Sequence, residues 1–220
     1  MREFGTTRLP NPFPPSVLMG SILRRSGNWV QSFLRPSIKN SIISLIGKDK
    51  YDQYLTWIGL REYIPTSRPM SDDEQVAIWT YTSDDGWHQR INEELWENRA
   101  TKEVADFAYF LDAALPNTFR FPGSVYRGYT SDDLEDFVQG YSVGAVREFP
   151  AFTSTTKDLN QAFVGNVLFV ISAQGGADIE SLSALPAEQE VLFSTHTKFR
   201  TLAKEMTGNT AVIELEQVER

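Results

Sequence analysis

Cysteine is absent from the 220 residues, which removes disulfides and all thiol chemistry, although it does not by itself fix a compartment. Histidine is nearly as scarce. Only His88 and His196 occur, too few for a histidine metal centre or a ready Ser-His-Asp triad, so no metal is expected. No apolar run approaches the roughly 20 residues that a membrane-spanning helix needs. At the N-terminus Arg24 and Arg25 interrupt the apolar stretch and no small-residue cleavage site follows, so export is expected to use a specialised route. P-loops, GxGxxG fingerprints and internal repeats are also missing. Carboxylates, arginines, hydroxyls and tyrosines remain to carry any chemistry.

What is present is unevenly charged. The net charge is -8, yet residues 1–50 hold eight Lys and Arg against Glu3 and Asp49, a local balance of +6 that leaves -14 for the rest. An acidic body repels phosphate backbones, so nucleic acid is not favoured as a partner. The basic segment, "SVLMGSILRRSGNWVQSFLRPSIKNSIISLIG", spaces Leu18, Ile22, Trp29, Phe33, Ile38, Ile42, Leu45 and Ile46 as helices do. Residues 17–46 fit contact with an anionic membrane surface or a partner, and equally two short helices packing on the core.

Four prolines within "LPNPFPPS" make the leader extended or irregular. A Pro-containing break at "YIPTSRPMSDDE" suggests two regions: 1–65, a basic leader with accessory or targeting helices, and 66–220, the main domain. Ser71 and Glu74 form a capping-box pattern that predicts a helix to about Tyr81. Another is expected from Asp84 or Asp85 through "GWHQRINEELW". A third begins at Thr101 with Val104, Phe107, Ala108, Leu111 and Leu115 on its buried side. After Pro116 the runs "SVYRGY", "FPAFTSTT", "NVLFVISA", "EQEVLFS", "KFRTL" and "TAVIELEQV" read as strands. Helices followed by strands predict an α+β fold with mostly antiparallel strands.

Three of those runs carry unusual side chains. "VYRG" places Arg127 in a strand, where its fork of donors suits a phosphate or carboxylate ligand or a structural ion pair, and Gly128 permits close backbone approach. "FTSTT" gathers hydroxyls at a strand end, where Ser154 either orients a neighbour or caps a turn. "EQE" puts Glu188 and Glu190 at an i, i+2 spacing, roughly 6.5–7 Å apart on one face if the strand is extended. Like charges so placed weaken a strand and raise each other's pKa. "IELE" at 213–216 repeats the spacing, but with Ile213 and Leu215 on the opposite face and no special loop before it, Glu214 and Glu216 read as a solvated edge.

In this order, an aromatic-Arg-Gly strand, F-x-S-T-T and E-x-E before an apolar strand resemble the arginine, Ser-Thr-Ser, glutamate class of mono-ADP-ribosyltransferases. "GADIESLSALPAEQEVLFSTHTKFR" and "YTSDDGWHQRINEEL" are similar to stretches of its bacterial toxin and effector members, and the resemblance covers roughly residues 70–218. It implies two mostly antiparallel sheets packed as a split sandwich around an NAD cleft, with an N-terminal helical lobe. NAD would be the substrate. Glu190 would stabilise the oxocarbenium-like transition state of nicotinamide-ribose cleavage, with Ser154 holding it. Arg127 would clamp a phosphate and Gly128 would face the nicotinamide amide, with Thr155 and Asn92 as further NAD-binding residues and with Tyr81 and Phe163 either NAD-binding or packed in the core. Glu188, where Glu rather than Gln marks arginine as acceptor, would orient the guanidinium and take its proton. Thr156 departs from the pattern's final serine, and the loop has no aromatic residue for target docking.

The implied enzyme is a secreted effector or toxin acting in the cytoplasm of a target cell on a protein that bears a reactive arginine, with an immunity protein or inhibitor as a further partner. NAD glycohydrolysis, nucleic-acid ADP-ribosylation and a non-catalytic binding module are the alternatives.

Overall fold

The computed structural model describes residues 36–162 and 164–218. Helices come first: α1 (Ile38–Ile46), α2 (Lys48–Gly59), α3 (Asp72–Thr82), α4 (Trp87–Trp96) and α5 (Lys102–Ala114). Gly47, at φ 84, lets α1 end and α2 begin at one residue, a conformation that a Cβ would disfavour. Ser71 and Glu74 close the expected capping box on α3. The fourth helix starts later than the sequence suggested. Asp85 is drawn away from capping by the Tyr54 hydroxyl and by Lys50, and Gly86 in the left-handed region precedes Trp87.

The strands are β1 (Phe119–Tyr129), β2 (Val146–Phe149), β3 (Thr153–Thr156), β4 (Val167–Asp178), β5 (Glu190–Phe193), β6 (Thr197–Thr207) and β7 (Thr210–Val218), with α6 (Leu134–Gln139) between β1 and β2. "FPAFTSTT" divides at Pro150, so β2 pairs with β6 whereas β3 pairs with β5. Every pairing is antiparallel except β4 with β7. The α+β class, the antiparallel majority and the N-terminal helices match expectation. The two sheets are two wings of one hydrogen-bonded ladder: β2, β6, β7, β4 and β1 form the larger, and β3 with β5 bridges β1 to the far end of β4.

Two cores result. One joins the helices to the smaller wing through Ile42, Tyr54, Ile78, Phe107, Leu111, Phe152 and Leu192. The other lies between the wings, around Val125, Phe169, Ile171, Val191, Phe193, Phe199 and Ile213. The described part of the 17–46 segment includes α1, which turns Ile42, Leu45 and Ile46 into the first core; residues 17–35 lie outside the described residues. Side chains on both sides of the expected boundary at residue 65 share that core. Among the described residues no helix is long and apolar enough to cross a membrane.

Candidate active site

Four-residue β5 separates the cores, and all four of its residues are buried. Thr156 pairs with Glu190 and Ser154 with Leu192. Because side chains alternate along a strand, Ser154, Thr156, Glu190 and Leu192 share the face turned to the helices. Thr155 and Val191 take the other. The Thr155 hydroxyl donates to the Val191 carbonyl at 2.6 Å, which ties β3 to β5 and leaves Thr155 outside the group on the helical face.

Glu190 is a carboxylate only 4% exposed. Burial pushes its pKa up to about 7; donation from the Ser154 hydroxyl pulls it back, Glu188 raises it and Arg127 lowers it. Ser154, Arg127 and Glu188 therefore each act on Glu190, though Arg127 and Ser154 lie far from it in sequence. Arg127, partly buried at the end of β1, donates from Nη1 to the Ser154 carbonyl at 2.8 Å. Its partner is main chain rather than carboxylate. Burial lowers the guanidinium pKa, while Tyr81, Tyr141, Glu190 and Tyr129 raise it. Gly128 follows in β1, paired with Leu168.

The helical wall is supplied by α3 and α4. Tyr81 is buried edge-on to Phe152, with ring centroids 5.3 Å apart, and its hydroxyl accepts from Asn92 Nδ2 at 2.9 Å. Burial and then Glu190 raise the phenol pKa, so Tyr81 stays protonated with its own donor to offer. Asn92 is 4% exposed, and its Oδ1 has no hydrogen-bond partner among the described residues. Phe163 lies outside the described residues.

Glu188 requires a correction. Pro186–Glu188 is a 3₁₀ turn and Gln189 is left-handed at φ 49, so β5 begins only at Glu190. The strand alternation expected to put both glutamates on one face does not apply to Glu188, because the chain turns where Pro186 starts the 3₁₀ segment. The turn presents Glu188, half-buried, by another route. Burial and the neighbouring Asp84 raise its pKa.

Two neighbours were not singled out from sequence. His88 stands edge-on to Tyr81 at 6.2 Å, and burial with Arg127 lowers its pKa while Asp84 raises it. Asp84 lies within electrostatic reach of both His88 and Glu188. The signal for His88 was its place one helical turn before Asn92, which puts the two on one face of α4; nothing local marked Asp84.

Over 156 residues, 69% of its length, the chain is 31% identical to a Mycobacterium avium protein named as an NAD(+)–arginine ADP-ribosyltransferase, Mav. It is 27% identical over 192 residues, 84% of the chain, to the NAD(+)–protein-arginine ADP-ribosyltransferase Tre1 of Pseudomonas putida. The matches take in 18% of the first relative's length and 38% of the second's. The crystal structure of the type III effector XopAI from Xanthomonas axonopodis pv. citri superposes with a TM-score of 0.66 at 22% identity, covering 83% of this chain and 86% of that one, and so shares the fold. The family model for NAD:arginine ADP-ribosyltransferase matches residues 50–220, and the chain belongs to that family.

Proposed function

We propose that the chain transfers ADP-ribose from NAD to an arginine of a target protein with release of nicotinamide. The observation that carries this reading is the buried Glu190, which shares one sheet face with Ser154 and lies within electrostatic reach of Arg127, Tyr81 and Glu188.

Arg127 and Gly128 hold the dinucleotide, the guanidinium against a phosphate. The unpartnered Asn92 Oδ1 and the Tyr81 hydroxyl offer an acceptor and a donor to the nicotinamide-ribose end. The bond between ribose C1' and the nicotinamide nitrogen breaks, and its electron pair leaves on nicotinamide, which becomes neutral. The positive charge then spreads over C1' and the ring oxygen, where the ionised Glu190 stabilises it electrostatically. A target guanidinium nitrogen attacks C1', and Glu188 orients it and takes the proton it loses. NAD is itself cationic at nicotinamide, so its arrival favours the ionised form of Glu190.

That the structurally similar XopAI is a type III effector supports a bacterial effector acting in another cell, and the family name together with Glu rather than Gln at 188 supports arginine as acceptor. Incubating the purified chain with adenine-labelled NAD and a cell lysate tests the reading. Label is expected on protein arginines with stoichiometric nicotinamide. Free nicotinamide with no labelled protein would reduce the activity to glycohydrolysis, and neither product would leave a binding module.

A further inference from the structure

The sequence suggested that helices before residue 65 are accessory, yet a side chain just past α2 reaches the segment that carries Glu188. Arg61, just beyond the C-terminal end of α2, lays its guanidinium 4.1 Å from the centre of the Trp79 ring. From there Nη1 donates to the carbonyls of Ser181 at 3.2 Å and Leu182 at 3.4 Å, and Nη2 donates to Ser183 at 2.9 Å. One planar fork thus collects three consecutive carbonyls, a task its fixed geometry suits and an ammonium cannot match. Next along the chain, Ala184 N donates to Thr82 Oγ1 at 2.9 Å, and Leu185 N donates to Ser183 Oγ at 3.0 Å. The 3₁₀ turn with Glu188 follows directly.

The other end of this segment is held differently. Lys157 N donates to the Gln189 carbonyl at 3.2 Å and Ile179 N to that of Glu190 at 3.1 Å, continuing the β3–β5 and β4–β5 pairing. Glu190 is therefore set by the sheet, whereas Glu188 stands between a helical-lobe anchor before it in the chain and a sheet anchor after it. We propose that Arg61, seconded by Thr82, is a positioning residue that fixes the turn bearing Glu188, and so governs delivery of ADP-ribose to the acceptor more than cleavage of NAD. This rests on the proposed function above for its catalytic part alone.

The test uses the full chain with Arg61→Gln, Arg61→Lys and the near-isosteric Thr82→Val. Hydrogen–deuterium exchange is followed at the amides of Ala184, Leu185, Glu188 and Gln189, with β7 as internal reference. Arginine transfer and nicotinamide release are measured together. Faster exchange confined to 184–189 is expected, with the transfer-to-release ratio falling roughly ten- to a hundredfold in Arg61→Gln, the scale of a catalytic group displaced by about an ångström. The KM for NAD should hold, and Arg61→Lys should recover part of the loss. Exchange at 184–189 that stays slow or rises only in step with β7, or a ratio that does not change, would overturn the proposal. A wild-type chain that leaves NAD intact would instead defeat the functional reading, while the exchange data would still decide whether Arg61 and Thr82 hold the turn.

Discussion

Two pairs of glutamates share one spacing in this chain and meet opposite fates. Glu214 and Glu216 lie within β7, where Ile213 and Leu215 fill the core and leave Glu214 to water and Glu216 to Arg200 at 3.1 Å. Glu188 and Glu190 straddle a turn instead: the first is half-buried beside Asp84 and the second nearly sealed behind β3. Burying a carboxylate costs free energy unless donors and opposite charge surround it, and a protein keeps such a group when the ionised form has a task. Spacing alone therefore says little. What distinguishes the pairs is the turn before one of them and the hydroxyl and guanidinium brought to it from other strands.

The comparison can be broken by substitution. Glu188→Gln should lower arginine transfer by about 10²–10⁴-fold, the usual weight of a positioned general base, while nicotinamide release continues; paired assays with and without a guanidino acceptor check this. If transfer survives, Glu188 is no more than another solvated acid. The pH dependence of kcat/KM for nicotinamide release separates the pairs next. With Glu190 titrating at about 7 in the free protein, the rate should rise nearly tenfold per unit below that pH and level above it.

Stability should run the other way. A carboxyl whose pKa rises from 4.5 unfolded to about 7 folded binds more protons in the native state over that window, so it stabilises the fold at low pH and loses that contribution as pH climbs through about 7. Glu190→Gln should consequently gain stability relative to wild type at pH 8, by at most about 3 kcal/mol, as read from denaturant midpoints. The smallest effect belongs to Glu216→Gln, which removes one partly exposed ion pair and should shift stability by less than about 1 kcal/mol without touching activity.

Much of this was readable from the chain. The capping box of Ser71 and Glu74, the stripe from Val104 to Leu111 and the alternation of Ile213 and Leu215 are local patterns, and local physics decides them. Arg127, Ser154 and Glu190 could be nominated because each is unusual in a strand and because their order resembles a known family. Their convergence depends on β3 and β5 closing between β1 and β4, which no local rule supplies. The sequence misled most at Glu188, where a strand was expected and the chain turns. It was also silent about Arg61, whose partners lie 120 residues away.

The most direct measurement is nicotinamide release by Glu190→Gln beside Glu214→Gln, each shown to be folded at the assay pH. Removal of the buried charge should reduce the rate by about 10²–10³-fold, as expected for loss of a preorganised electrostatic stabiliser, while the solvent-facing substitution leaves it intact. Comparable rates from the two would contradict the assignment of Glu190 as the group that meets the developing charge.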